Sequence, residues 1–316
     1  MAITKNRQSR ETILSMAKQA FPDKRVVTIR ELSEGMCNVT YDIAFHDGTE
    51  SILKIAAKDH TGNISNEINL MQAEVRAMKI AAENCTFKVA DIQYYDTSNT
   101  LCDGHYFFME KIEGENFHYT QDKLTEAEIA GIHRQIGKIA KELSSVQNTA
   151  FGFFGEDTRY DSLYAFVKQM LRNLVSDAQK RNIDILYDGQ FYLNELEKEK
   201  YAFETVTHST FVHWDMWEGN IFVNGGQVSG VIDWERALWG EPYMDDRFRR
   251  HNRNPHFLEG FGKTTFEETE LRRMRWYDII LYLTMTIEVF YREYEDKGQY
   301  FWAKEMLGKS IHSPFA

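Results

Sequence analysis

The chain has 316 residues, with 37 basic and 48 acidic side chains for a formal net charge of −11; 43% of its residues are hydrophobic and 14% aromatic. That length and composition exclude a disordered, collagen-like or low-complexity chain and are sufficient for two domains around a large core. The acidic balance also argues against non-specific nucleic-acid binding, which needs a surplus of Lys and Arg to displace phosphate counterions.

The three cysteines, Cys37, Cys85 and Cys102, show no C-x-x-C spacing and read as reduced thiols of a cytoplasmic protein. Residues Met1 to Arg10 are polar and lack the apolar stretch of a signal peptide. The longest apolar run, Ile279 to Phe290, is interrupted by Glu288 and is too short to span a bilayer, so no membrane partner is expected.

In chain order, a helix is expected at Gln8 to Ala20 and a strand at Val26 to Leu32. Val39, Tyr41, Ile43 and Phe45 alternate at period two; His46-Asp47-Gly48 then turns the chain into a strand at Ser51 to Ala57. Ile68, Met71, Val75 and Met78 carry helical spacing within Ser65 to Ala82, and His105 to Ile112 reads as another strand. Beyond Gly114 the pattern becomes helical. Thr125 and Glu128 make a capping box ahead of Ile129, Ile132, Ile136, Ile139, Leu143 and Val146. Helices follow at Ser162 to Asn182 and Asn194 to Glu204, then a hairpin of Ile221 to Val223 and Val228 to Ile232 about Asn224-Gly225-Gly226. A capped helix over Leu271 to Glu295 comes last.

The most informative segment is His213-Trp214-Asp215-Met216-Trp217-Glu218-Gly219-Asn220, followed after the hairpin by Ile232-Asp233-Trp234-Glu235. Phosphoryl transfer asks mainly for positioning and charge neutralisation, which needs a carboxylate near the attacking hydroxyl and oxygen ligands for Mg²⁺. One loop offers Asp215 for the hydroxyl and Asn220 for the metal, and Asp233 would reach that metal from the hairpin. Lys54, mid-strand in Ile52-Leu53-Lys54-Ile55, is costly to bury unless paired, and a nucleotide phosphate and a carboxylate are natural partners.

With these motifs in this order, the sequence resembles the aminoglycoside phosphotransferase and choline kinase-like family over nearly its whole length. The resemblance implies an α+β, bilobal protein-kinase-like fold. It comprises a nucleotide-binding lobe at residues 1–110 with an antiparallel sheet and one main helix, and a mostly helical lobe at 111–316. It implies a phosphotransferase that uses ATP or GTP with Mg²⁺ and acts on a hydroxyl of a small molecule. An aminoglycoside-type antibiotic leads, with a choline-like, amino-alcohol or sugar acceptor as the alternative, and a silent nucleotide-binding scaffold as the non-enzymatic one. Asp215 is then the catalytic base, His213 a support for its loop, and Asn220 and Asp233 the metal ligands.

In the first lobe, Ser33 to Tyr41 resembles the nucleotide loop, with Gly35 and Asn38 as its candidates, although a single glycine stands where protein kinases carry three. Glu74 rather than Glu67 is the expected partner of Lys54, because Glu74 lies beside the buried stripe while Glu67 is expected at an exposed first turn. Phe107 to Gly114 resembles the hinge, where adenine would meet backbone groups of Glu110 and Ile112 with Met109 lining the pocket. The segment from Asp233 to Pro242 is only ten residues long and no A-P-E follows, so a peptide-docking activation loop is not expected. Carboxylates at Glu235, Glu241, Asp245, Asp246, Glu259, Glu288, Glu293 and Glu295 would suit a cationic acceptor, unless Arg247, Arg249 and Arg250 neutralise some of them.

Overall fold

The structure, a computed structural model, describes residues 5–32, 38–58 and 62–312. Helix α1 (Arg10–Ala20) precedes β1 (Val26–Leu32), β2 (Val39–Phe45) and β3 (Glu50–Ile55); α2 (Leu70–Asn84) leads to β4 (Ile92–Asp96) and β5 (Tyr106–Glu110). The five strands form one antiparallel sheet in the order β1-β2-β3-β5-β4. Both faces are covered, so the period-two alternation sorts residues between two cores. Leu53, Ile55, Tyr106 and Phe108 pack with Ile13 and Met16 of α1. Ile52, Phe107 and Met109 pack with Met71, Val75 and Met78 of α2. Lys54 shares the parity of Ile52, which turns its ammonium toward α2.

The helix expected from Ser65 begins only at Leu70, because residues 65–69 hold the larger part of the molecule instead of extending the helix. Asn69 has φ +48° and places its amide on the Gly155 carbonyl at 3.0 Å rather than capping α2. Glu67 is consequently not at an exposed first turn: it is 6% exposed.

After β5 the chain enters the short strand β6 (Glu115–Asn116) and the single-turn α3 (Phe117–Thr120). Gly114, between them and the sheet, has φ +110°, and a Cβ there would lie 2.3 Å from the Val223 carbonyl oxygen. Only glycine allows this crossing. Helix α4 (Glu126–Ser145) has the expected capping box and buries Ile132, Ile136, Ile139 and Leu143. Strands β7 (Gln147–Asn148) and β8 (Gly152–Phe153) precede α5 (Leu163–Lys180), α6 (Gly189–Lys198), α7 (Lys200–Phe203) and β9 (Ser209–Val212). The single helix expected at 194–204 is therefore two, divided at Glu199, whose carboxylate pairs with Arg272 and Arg275.

The hairpin β10 (Ile221–Asn224) and β11 (Gln227–Val231) is extended by β6, giving the order β11-β10-β6. Strand β12 (Leu238–Gly240) joins a second small sheet, β7-β9-β12-β8. Helices α8 (Pro255–Phe261), α9 (Glu268–Tyr291) and α10 (Gly298–His312) complete the helical part. None of the helices among the described residues is long and apolar enough to cross a membrane.

Candidate active site

The hairpin and the loop before it bring the sequence motif into one place. His213, 1% exposed, accepts the Asp215 backbone N–H at Nδ1 (3.3 Å) and donates from Nε2 to the Ile232 carbonyl (3.1 Å). Burial pushes its pKa down to about 4, so it is a neutral imidazole that ties the loop to the strand preceding Asp233. Asn220 donates from Nδ2 to the Asp215 carbonyl (2.8 Å) and to Asp215 Oδ2 (3.2 Å), while its own carbonyl accepts from Ile232 N–H at 3.0 Å.

Positive φ angles at Trp214 (+72°) and Asp233 (+60°) bracket this assembly. For a tryptophan that conformation is a strained outlier, which the surroundings must hold in place. Here the Trp214 carbonyl accepts the Asp246 N–H at 3.1 Å.

Lys54 is the meeting point of the two halves. Its Nζ donates to Glu74 Oε1 at 2.6 Å and to Asp233 Oδ1, so of the two candidate carboxylates Glu74, and not Glu67, meets Lys54, as the apolar stripe suggested. Lys54 and Glu74 are 4% and 1% exposed, and Glu74 Oε2 has no hydrogen-bond partner among the described residues. Burial pushes Glu74 up to about 7 against the pull of Lys54. Burial likewise opposes the Lys54 charge, but Asp233, Glu74 and Glu235 outweigh it and the ammonium is held charged. Burial is the largest single influence on Asp233 and raises it, but the charge and hydrogen bond of Lys54, with His213 and Lys5, together outweigh burial and hold the carboxyl below its ordinary value.

Asp215 is pushed up to about 7, first by burial; Arg236 opposes this, and Asp246, Asp233 and Asp245 add to it. A carboxylate poised near neutrality beside a donor-bearing amide suits proton acceptance from a hydroxyl. The oxygen donors fit Mg²⁺, which is held in nucleotide sites by one or two protein oxygens plus phosphates rather than by a full protein cage. Asn220 spends its side-chain N–H groups on Asp215, which would leave its oxygen available to such a metal, and Asp233 would supply a carboxylate. Among the described residues no group of three or more His, Cys, Asp or Glu forms a self-sufficient metal cage.

The other sequence candidates are spread along the cleft. Asn38 donates from Nδ2 to Glu235 Oε2 at 2.8 Å, bridging the start of β2 to the turn after Asp233. Gly35 lies outside the described residues. Met109 is 6% exposed, and its carbonyl accepts from Ser51 Oγ at 3.0 Å. The Glu110 N–H donates to the Asp91 carbonyl at 2.9 Å, so that donor is not available to a base, and its carboxylate meets Lys88. Ile112 lies against β11, where a Cβ on Gly230 would be 2.6 Å from its Cδ1.

Three of the eight acids expected to draw a cation are paired with arginines. Glu241, 4% exposed, accepts from Arg273 (2.8 Å) and Tyr277 (2.6 Å). Glu288 is shared by Arg236 and Arg292, and Glu259 pairs with Arg134 on the surface. Asp245 and Asp246 are buried as well: Asp246 Oδ2 accepts from Asn252 and its Oδ1 lies 3.5 Å from His251 Nε2, whereas Asp245 Oδ1 accepts the Arg247 N–H and its Oδ2 has no partner among the described residues.

Sequence reasoning missed the residues that brace the loop. Arg247, fully buried, donates to the Met216 carbonyl (2.7 Å) and to Glu218 (2.6 Å), and Asn116 donates to the Gly219 carbonyl (2.5 Å). Nothing local distinguishes such an arginine from a solvated one, because its partners lie 29 to 31 residues away.

A lysine joined to a helix carboxylate, a loop Asp and Asn, and a hairpin Asp define a kinase-type phosphotransferase. The sequence matches the phosphotransferase enzyme family over residues 28–277, and the chain belongs to that family. Its fold is similar to a thermostable mutant of aminoglycoside phosphotransferase APH(4)-Ia in ternary complex with ADP and hygromycin B. That pair superposes with a TM-score of 0.69 at 13% identity, covering 96% of this chain and 99% of that one. It is also similar to the gentamicin complex of APH(2")-IIa (TM-score 0.66, 16% identity, 98% and 97% covered). The GDP and kanamycin complex of APH(2")-IIia is a further neighbour (0.62, 14%, 94% and 97%). No curated protein matches the sequence.

Proposed function

We propose that this protein transfers the γ-phosphoryl group of ATP or GTP to a hydroxyl of a small molecule in the cytoplasm. The observation that carries the reading is Lys54, held at once by Glu74 and Asp233 on one side of the loop that joins Asp215 to Asn220. Lys54 would contact the nucleotide phosphates, with Glu74 fixing its direction. Asn220 and Asp233 would hold Mg²⁺, which supplies charge neutralisation at the phosphates. Asp215 orients the acceptor hydroxyl and takes its proton as the new O–P bond forms and the bond to the β-phosphate oxygen breaks, releasing ADP or GDP. Met109 and Ile112, with the Glu110 carbonyl, would border the base, and Asn38 the phosphates. The free thiols of Cys85 and Cys102 support a reducing compartment.

An aminoglycoside-type acceptor is the leading assignment. The ligands named in the similar structures support it, as do the carboxylates of Asp215, Asp245 and Asp246 grouped behind the loop. A metabolic acceptor with one cationic group or none is favoured by a specific observation, the neutralisation of Glu241 and Glu288 by buried arginines. The test is ADP and GDP release with Mg²⁺ across aminoglycosides, macrolides, choline and simple sugars, with Asp215→Ala as control. Acceptor-dependent release that disappears in the variant is expected. Nucleotide binding with silence across every acceptor would favour the scaffold reading, and release that survives Asp215→Ala would overturn the role of Asp215.

A further inference from the structure

Residues 65–67, ahead of α2, are bolted to the helical lobe. Ser65 donates from its backbone N–H and its hydroxyl to Asp177 of α5, both at 2.6 Å, and Asn66 donates to the Met170 carbonyl at 3.1 Å. Glu67 Oε1 accepts from Nη2 of Arg236 (2.8 Å) and Nη2 of Arg292 (2.6 Å). Glu288 of α9 takes the same two guanidiniums through Oε2, each at 3.0 Å, and its Oε1 accepts from Gln299 at 2.7 Å. Two carboxylates and two guanidiniums thus close a neutral ring whose side chains are 13% exposed or less. Charges this deep persist only when paired, so the ring has one low-energy arrangement.

Arg236 ends the helical turn Trp234–Arg236 that Asp233 begins. The ring therefore connects three things: the entry to the helix bearing Glu74, the turn bearing Asp233, and α9. We propose that Arg236 is a positioning residue for metal-dependent nucleotide binding: anchored on Glu67 and Glu288, it fixes where Asp233 stands relative to Glu74 and Lys54. This rests on the reading of Asp233 as a metal ligand.

The test measures ADP affinity by calorimetry in EDTA and again in MgCl₂, for wild type, Arg236→Met and Arg236→Lys. The gain in affinity that the metal brings should fall about 10- to 100-fold in Arg236→Met, as for other partners that orient metal ligands. Affinity in EDTA should stay near wild type, which separates the effect from general damage. Both bonds of Arg236 leave from one nitrogen, so a lysine ammonium is expected to restore most of the gain. No metal-dependent gain in the wild type would refute the functional reading itself. A full gain in folded Arg236→Met would refute the positioning role alone. If Arg236→Met fails to fold, Glu67→Gln, which leaves Arg236 on Glu288, takes its place: a reduced gain supports the proposal and an unchanged gain overturns it.

Discussion

Replacing Glu74 by Gln is expected to destabilise the wild type and to stabilise the Lys54→Met variant. Among the described residues the wild-type carboxylate has one partner, Lys54 at 2.6 Å, and a second oxygen with none. Glu74→Gln leaves Lys54 still joined to Asp233, so the cost is about 1–3 kcal/mol, that of one charged hydrogen bond. Lys54→Met is harsher for Glu74, which is 1% exposed and loses the one donor it has among the described residues. Asp233 escapes that fate because its side chain is 35% exposed.

The cheapest remaining state of Glu74 is then the protonated one. From an ordinary value of 4.5, protonation at pH 7.5 costs about 1.36 kcal/mol for each of three pH units, or about 4 kcal/mol. Glu74→Gln removes that cost, so the double variant should exceed Lys54→Met in stability by up to about 4 kcal/mol at pH 7.5. At pH 5.5 the same difference shrinks to about 1 kcal/mol, because only one unit separates the pH from the ordinary value. The sign follows from linkage: a carboxyl whose folded pKa is raised binds its proton in the folded state first, and the penalty grows as pH rises through that window. Urea unfolding of the four proteins at both pH values checks this. An equal cost of Glu74→Gln in both backgrounds would refute the claim that the buried pair is coupled.

Asp215, pushed up to about 7, must be ionised to accept a proton, so turnover should be flat above that value and fall about tenfold per unit below it. A pH–rate profile whose acid limb lies near the ordinary carboxylate range would contradict this environment. His133 is 5% exposed and burial, with Arg247 adding to it, depresses its pKa to about 4. Its folded value is below the ordinary 6.5, so its stabilising share is present above 6.5 and is lost as pH falls toward 4. His133→Leu should therefore gain about 2 kcal/mol on wild type between pH 7.5 and pH 5, from 1.5 units at 1.36 kcal/mol each, measured by urea unfolding. A difference that does not change with pH would show that His133 is not held neutral by its burial.

Local chemistry made much of this protein readable from its sequence. The period-two strands, the Thr125–Glu128 capping box, the hairpin about Asn224-Gly225-Gly226 and the H-x-D-x-x-x-x-N loop each depend on neighbours a few residues apart, and each is present where expected. Even the preference for Glu74 over Glu67 followed from the face of one helix. Tertiary structure alone decided which charges are free. Glu67 looked exposed and is buried because Arg236, 169 residues away, and Arg292, 225 residues away, meet it. Arg247 and Glu241 became internal supports for the same reason, and strands β9 and β12 exist because they pair with each other rather than through any strong local pattern. Hydrophobic periodicity reports which face of an element is buried. A buried ion pair requires two distant segments to bring opposite charges together away from water, and nothing in either segment by itself records that meeting.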